Sequence, residues 1–339
     1  MRRRLLSIAV ACLLLRASTA GDPLAAEIKR WSEYLESPAA SGPLWSQLKQ
    51  ALGPALARSD QALQKGRRNL ALLRLAAVAP TFEGATFAQE HEKANLEQEW
   101  KRNAAAVRVT QSLETIEPAA LRALAESASS QARVLYQASL DYGLADGAQS
   151  GLLYIGEARG QKSFVDFARR LSRPDGLRPP TIRALALPEI EALERELLGA
   201  YRPPMAIDRH SEFIGASAAV KETRELRGAG LHYGALLRYL EAARRVGLLS
   251  GAPMERAKIE SSLRAFEARL GAAGVDHSIG QLYAEAAESD LEGTAPPAVA
   301  AAVVTHVLPR YFAALEPAAK EHAAPAPRAT ITLVRWPYT

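Results

Sequence analysis

Five polar residues are candidates for acid–base chemistry: Glu157, Arg159, His210, Glu212 and His232. A histidine changes its charge near neutral pH and can act as a base. Carboxylates can share acid and base roles when folding brings them within about 5–10 Å of each other. These five residues are the candidate catalytic groups, although His232 also fits an ordinary core or interface histidine.

Three short motifs come close to known catalytic patterns and fail on a required residue. Residues 91–95 match a zinc-hydrolase helix except that Asn95 replaces the second histidine ligand, so the segment is predicted to be a solvated helix face. Ser46 and Lys49 form Ser-x-x-Lys without its companion motifs, and residues 215–219 lack the second glycine of a nucleophile elbow. There is also no glycine-rich phosphate loop. The sequence therefore predicts neither a metal site nor a bound cofactor.

Glycines recur every four residues at Gly143, Gly147 and Gly151, and Gly156 and Gly160 follow closely. This spacing places small residues on one face of a helix, where another backbone can approach. One interpretation is a ligand groove lined by polar neighbours, with the segment 228–234 nearby. The other is tight helix packing, or a loop near residues 143–147 that separates two helices.

The elements that must position these residues are predicted to be helices. Apolar residues recur at spacings of three and four, as at Ile259, Leu263, Phe266 and Leu270. The composition is rich in alanine, leucine, glutamate and arginine, all good helix formers. The predicted spans are 23–36, 42–64, 67–79, 84–115, 118–141, 146–171, 188–200, 209–227, 230–247, 253–272, 277–291 and 296–315.

The expected architecture is all-α, either a many-helix bundle or stacked helical pairs, with one short C-terminal strand. A proline-rich connection at residues 173–180 separates an N-terminal helical region, 21–172, from a C-terminal one, 188–322. Residues 323–339 are predicted to be a linker followed by the strand, which begins at Thr330.

Residues 1–20 have the pattern of a cleaved secretory signal, with three arginines, a short apolar stretch and small residues before Gly21. Cleavage is expected after Ala20, and the route is either the general or the twin-arginine pathway. Removing this segment lowers the formal charge from +5 to +1 and removes the single cysteine, Cys12. The exported chain then lacks disulfides, thiol chemistry and the basic surface that nucleic-acid binding requires. No later segment is predicted to span a membrane.

Two functions remain open. The first is a non-enzymatic exported protein, periplasmic or secreted, that binds another protein or a component of the cell envelope. The second is an enzyme of an unfamiliar all-helical class that uses the five candidate residues. A deep polar pocket in which those residues converge would favour the enzyme, whereas a groove lined by alanine and leucine would favour binding.

Overall fold

The fold of the described residues is entirely helical. We analysed a computed structural model, which describes residues 21–173, 182, 184–204, 207–251, 253–271 and 276–323, with only the backbone described at 270–271 and 316–323. The all-α class is confirmed within these ranges. The α-helices are α1 (Pro23–Glu36), α2 (Pro43–Gln64), α3 (Arg68–Glu90), α4 (Leu96–Asn103), α5 (Ala119–Asp146), α6 (Ala148–Leu171), α7 (Leu187–Ala200), α8 (His210–Gly228), α9 (His232–Ser250), α10 (Arg256–Gly271), α11 (Ser278–Glu292), α12 (Pro297–Ala302) and α13 (Leu308–Ala323). A 3₁₀ turn at Ile207–Arg209 precedes α8, and a π-helical turn at Val303–Val307 joins α12 to α13.

Several consecutive helices pack against each other as hairpins, most extensively α5 with α6 and α8 with α9. Helix α6 lies against both α5 and α3, and α9 lies against α8 and α5. The predicted apolar faces form the core, since Leu24, Ile28 and Trp31 of α1 are all buried. One continuous set of buried apolar side chains runs from α1 to α13 and includes residues of both predicted regions.

Carboxylates from segments distant in the sequence bind the N-termini of three core helices. Glu285 of α11 accepts hydrogen bonds from Leu70 N at 2.8 Å and from Asn69 at the start of α3. Asp276 accepts from the backbone at the start of α5, and Glu126 accepts from Gly234 N of α9 at 2.8 Å. These contacts satisfy free amide groups and place negative charge at the positive end of each helix dipole.

The largest error in the predicted helix boundaries lies between residues 67 and 115. Helix α3 continues through Pro80, where a break was expected, because the proline packs against α6 inside the core. The helix instead ends at Glu90, and Asn95 caps α4 by accepting from Gln98 N at 3.0 Å. The segment 91–95 is therefore a connection between helices rather than the predicted helix face.

Two described helical stretches, Arg68–Glu90 and Pro297–Leu315, are long and apolar enough to span a membrane by length and composition alone. In the most apolar 18-residue window of these two stretches, 56% and 50% of the window, respectively, is buried inside the fold. That burial is the property expected of core helices. The predicted leader at 1–20 and the predicted strand from Thr330 lie outside the described residues.

Candidate functional site

A cavity of about 620 Å³ opens between α3, α5, α8, α9 and α11 and is called the central cavity below. Its volume falls within the range of roughly 300–1,000 Å³ that is typical of small-molecule sites. Its walls are mainly apolar and include Leu70, Leu73, Ala76, Ala77, Leu124, Ala128, Ala218, Ala219, Leu237, Leu282 and Ala286. Its charged lining consists of Arg74, Glu222, Arg238, Glu241, Arg244, Arg245 and Asp290.

Glu241 of α9 holds two of the cavity arginines. Its carboxylate accepts from Arg244 Nε at 2.9 Å and Nη2 at 3.0 Å, and from Arg245 Nε at 2.8 Å. Burial acts to raise the pKa of Glu241, but the hydrogen bonds and charges of Arg244 and Arg245 outweigh it, so the pKa is lowered. Arg245 also donates from Nη1 to Glu212 of α8 at 3.0 Å. This network joins α8 to α9 at one wall of the cavity.

Arg238 forms a second polar contact in the wall. Its Nε lies 2.8 Å from both Glu222 Oε2 of α8 and Ser127 Oγ of α5. The side chains of Arg238 and Glu222 are 27% and 33% exposed, so water reaches the pair from the cavity. This contact holds α5, α8 and α9 around the opening.

Arg74 and Asp290 differ from the other charged residues of the cavity. Arg74 donates to Arg58 O at 2.7 Å and to Ser289 Oγ at 3.1 Å, and neither acceptor carries a charge. Asp290 accepts no hydrogen bond from the described residues, and no basic group in that part of the chain lies within 4.0 Å of it. Burial lowers the pKa of Arg74 and raises the pKa of Asp290, with the charges of Arg244 and Arg74 partly opposing the rise at Asp290.

A smaller cavity of about 270 Å³ adjoins the central one and shares Ala77, Gln131, Gln161 and Glu222 with it. Glu157 of α6 lines this smaller cavity and accepts from Thr81 Oγ1 at 3.2 Å. Burial raises the pKa of the Glu157 carboxyl, and the hydrogen bond from Thr81 only partly offsets this effect. Glu157 is therefore the one sequence candidate in the described lining of the two cavities.

The other four candidates lie elsewhere. Arg159 donates to Asn103 Oδ1 at 2.9 Å and lies over the ring of Phe87. Glu212 reaches the central cavity only through Arg245.

His210 forms a 2.7 Å hydrogen bond with the hydroxyl of Tyr201 on the surface. His232 begins α9, and its buried Nδ1 has no hydrogen-bond partner among the described residues. The five side chains do not converge on one pocket.

The glycines of α6 form tight helix contacts rather than a groove, which confirms the packing interpretation. A Cβ at Gly156 would lie 2.6 Å from Phe87 Cβ and 2.7 Å from Gly84 Cα, so the backbones of α3 and α6 nearly touch. Gly147 separates α5 from α6 with φ of +96°, a conformation that glycine adopts without strain. Tyr154 stacks on Tyr142 with 4.2 Å between ring centroids.

His306 has neighbours that resemble a catalytic triad but fail its geometry. Ser250 Oγ lies 3.4 Å and Glu196 Oε1 lies 3.6 Å from the same ring nitrogen, Nε2. The other nitrogen, Nδ1, faces Thr305 Oγ1 at 2.8 Å. A serine–histidine–acid triad needs its acid on the nitrogen opposite the nucleophile. The cluster therefore cannot operate as that triad.

Sequence reasoning missed the charged lining of the central cavity. The pair of Glu241 and Arg245 was noticed only as a helix-supporting i,i+4 contact, and the other arginines gave no motif. One usable signal was the presence of Arg238, Arg244 and Arg245 on a helix with a broad buried face. Within the described residues, no three histidine, aspartate or glutamate side chains are grouped to hold a metal ion.

Comparisons with known proteins give no relative: no family model matches the chain, and neither the curated proteins nor the solved structures contain a significant match.

Proposed function

We propose that this chain is a non-enzymatic exported binding protein whose central cavity takes a small molecule of the cell envelope. The observation that carries the proposal is the combination of a cavity of about 620 Å³ with leucine and alanine walls and a few fixed charged groups. Small-molecule sites are built in this way, with apolar surface for affinity and a few polar groups for orientation.

The ion pairs of Glu222 and Glu241 favour binding over catalysis at these two carboxylates. Glu222 and Glu241 are held in ion pairs with arginines. The pKa of Glu241 is lowered by its two arginine partners. A general base or acid works best when its pKa lies near the operating pH. The described lining of the central cavity includes no histidine. Such a lining suits recognition of a ligand without chemical change.

The binding proposal is tested with 8-anilinonaphthalene-1-sulfonate, a fluorescent probe that carries an apolar body and one anionic group. We expect saturable fluorescence enhancement with the native protein. Ala77→Trp and Ala218→Trp each place a large ring at an exposed helix position that lines the cavity, and both should abolish the enhancement. Ala192→Trp, at an exposed position of α7 that does not line the cavity, is the matched control and should bind the probe normally.

Circular dichroism and thermal melts of all three variants establish that each is folded. Retained probe binding in both cavity variants, or the absence of any saturable binding to the native protein, would contradict the proposal. Export is tested separately by mass spectrometry of the protein recovered outside the cytoplasm. The expected N-terminus is Gly21, and an intact Met1 would show that the leader is not cleaved.

Glu157 supports an alternative function, an all-helical enzyme that uses acid–base chemistry. Its carboxyl lines the smaller cavity and has no basic partner among the described residues, and burial raises its pKa, as a proton donor at neutral pH requires. The test is hydrolysis of chromogenic ester, phosphoester and glycoside substrates. Activity that is lost in Glu157→Gln would support the enzyme, and a rate equal in both forms would exclude this residue.

A further inference from the structure

We infer that the ligand of the central cavity is a zwitterionic apolar molecule of the amino-acid or short-peptide class, with its carboxylate at Arg74 and its ammonium group at Asp290. This inference rests on the proposed function, because it names the class of molecule that the same cavity binds. The inference is based on which charged residues of the cavity lining already have an ion-pair partner and which do not.

Most charges of the lining already have a charged partner. Glu241 pairs with Arg244 and Arg245, and Glu222 pairs with Arg238. Within the described residues, Arg74 and Asp290 are the two charged lining groups that take part in no ion pair. They lie on facing helices, Arg74 on α3 and Asp290 on α11, and both are partly withdrawn from water.

An unpaired charge in a partly buried site is unfavourable until a partner replaces the water it has lost. A purely anionic ligand would satisfy Arg74 and leave Asp290 facing a like charge, and a purely cationic ligand would do the reverse. A ligand with one carboxylate and one ammonium group satisfies both residues and adds no net charge to the cavity.

The rest of the lining indicates what joins the two charged groups. Leu70 and Leu73 lie about one turn or less before Arg74 on α3, and Ala286 and Leu282 lie about one and two turns, respectively, before Asp290 on α11. Apolar side chains of the ligand can pack on these residues. Gln131 and Gln161, which hydrogen-bond each other at 2.9 Å, add amide groups to the same lining. This pattern fits leucine-like side chains on a peptide backbone.

The test is isothermal titration calorimetry of the full exported chain with leucine, dileucine and trileucine, each with free termini. At least one should bind saturably. N-acetylation removes the ammonium group and C-terminal amidation removes the carboxylate. Each change should weaken the best ligand by about tenfold or more, because each removes a hydrogen bond between charged groups.

Two variants link each ligand group to its residue. Asp290→Asn should abolish the difference between the free and acetylated peptide, and Arg74→Gln should abolish the difference between the free and amidated peptide. Asp208→Asn, at an exposed position away from the cavity, is the control and should leave both differences unchanged. If Arg74→Gln does not fold, Asp290→Asn decides the test, since Asp290 has no hydrogen bond to lose in the described structure.

Three results would overturn the inference: no binding by any of the three free compounds, equal binding of free and blocked forms, or tighter binding of the acetylated anion. The probe experiment under Proposed function remains independent of these results. If the fluorescent probe binds and Ala77→Trp excludes it while none of the peptides binds, the cavity is a binding site and only the ligand class is wrong.

Discussion

The two halves of α3 are both rich in small residues, yet one borders a cavity and the other is in close contact with its neighbour. Ala76 and Ala77 in the first half line the central cavity. Gly84 in the second half lies against α6, where an added Cβ would be 2.5 Å from Glu157 Cγ and 3.0 Å from Leu153 O. Small side chains alone therefore determine neither a void nor a contact.

The difference comes from the residues on the opposing helices. Helix α6 presents Gly156 and Gly160 to α3, and two backbones without Cβ atoms can approach until they touch. Helices α9 and α11 present charged side chains such as Arg244 and Asp290. Groups that must keep water or a charged partner cannot collapse onto an alanine surface. Charged side chains therefore border the cavity, whereas the α3–α6 contact is closed by the absence of side chains.

The largest expected change in stability is at the close contact between α3 and α6. Gly156→Ala would place its Cβ 2.6 Å from Phe87 Cβ and 2.7 Å from Gly84 Cα, so a backbone must move. We expect the free energy of unfolding to fall by about 1–3 kcal/mol in chemical denaturation. Gly199→Ala is the matched control, because its Cβ would meet no atom within 4 Å in α7. It should raise stability by roughly 0.5–1 kcal/mol. Equal effects at the two sites would refute the close contact.

Removing the carboxylate of Glu241 at the central cavity should cause the next largest loss of stability. Glu241→Gln leaves Arg244 and Arg245 without their shared partner, and we expect a loss of about 2 kcal/mol near neutral pH. The pKa of Glu241 is lowered in the folded protein, so its contribution is present above its ordinary pKa and lost as the pH falls through the lowered value. Denaturation at several pH values should therefore show the variant and native curves converging in acid. A difference that does not depend on pH would contradict this role.

Replacing the carboxylate of Glu157 should stabilise the protein, whereas replacing that of Glu241 should destabilise it. Its pKa is raised by burial, so ionisation opposes folding at neutral pH. Glu157→Gln should therefore stabilise the protein by up to about 1 kcal/mol above the ordinary pKa of glutamate and should have no effect below it. The measurement is the melting temperature of both forms across this pH range. A variant that is less stable than the native protein at neutral pH would show that the carboxylate makes a favourable contact.

The smallest expected effect is at a surface ion pair outside both regions. Hydrogen bonds and charges from Arg67 and Lys65 lower the pKa of Glu292 to about 2, but its side chain is 42% exposed. Glu292→Gln should cost only about 0.5 kcal/mol in low salt, and molar salt should remove the effect by screening. Chemical denaturation at both ionic strengths tests this, and an effect that survives high salt would mean that the pair is less exposed to solvent.

Local rules predicted most of the helices correctly. Helix α1 begins after Asp22 and at Pro23, as its capping and proline signals indicate, and α2 ends at the predicted Gln64. Errors arose where packing overrode a local signal. Pro80 did not break α3, because the core holds this helix against α6, and the end at Glu90 has no glycine or proline to mark it. Capping of α3 by Glu285 could not be predicted, because the two segments lie more than 200 residues apart.

The candidate site divides in the same way. Sequence analysis placed Glu157 among the candidates, and the structure shows it in the smaller cavity. It missed Arg74 and Asp290, because an arginine or an aspartate on a helix is usually solvated and nothing local distinguishes these two. Within the described part of the chain they form no ion pair, which depends on the residues that the folded chain places near α3 and α11.

The amino-acid sequence by itself determined the helical class, most helix boundaries and the composition of the apolar faces, because these depend on residue propensity and on spacing within one helix. The tertiary structure alone decided which faces meet and which stay apart. Glycines let α3 and α6 approach closely, whereas α9 and α11 present charged side chains to the central cavity. Distances between helices depend on side chains from several segments at once, and no single segment contains that information.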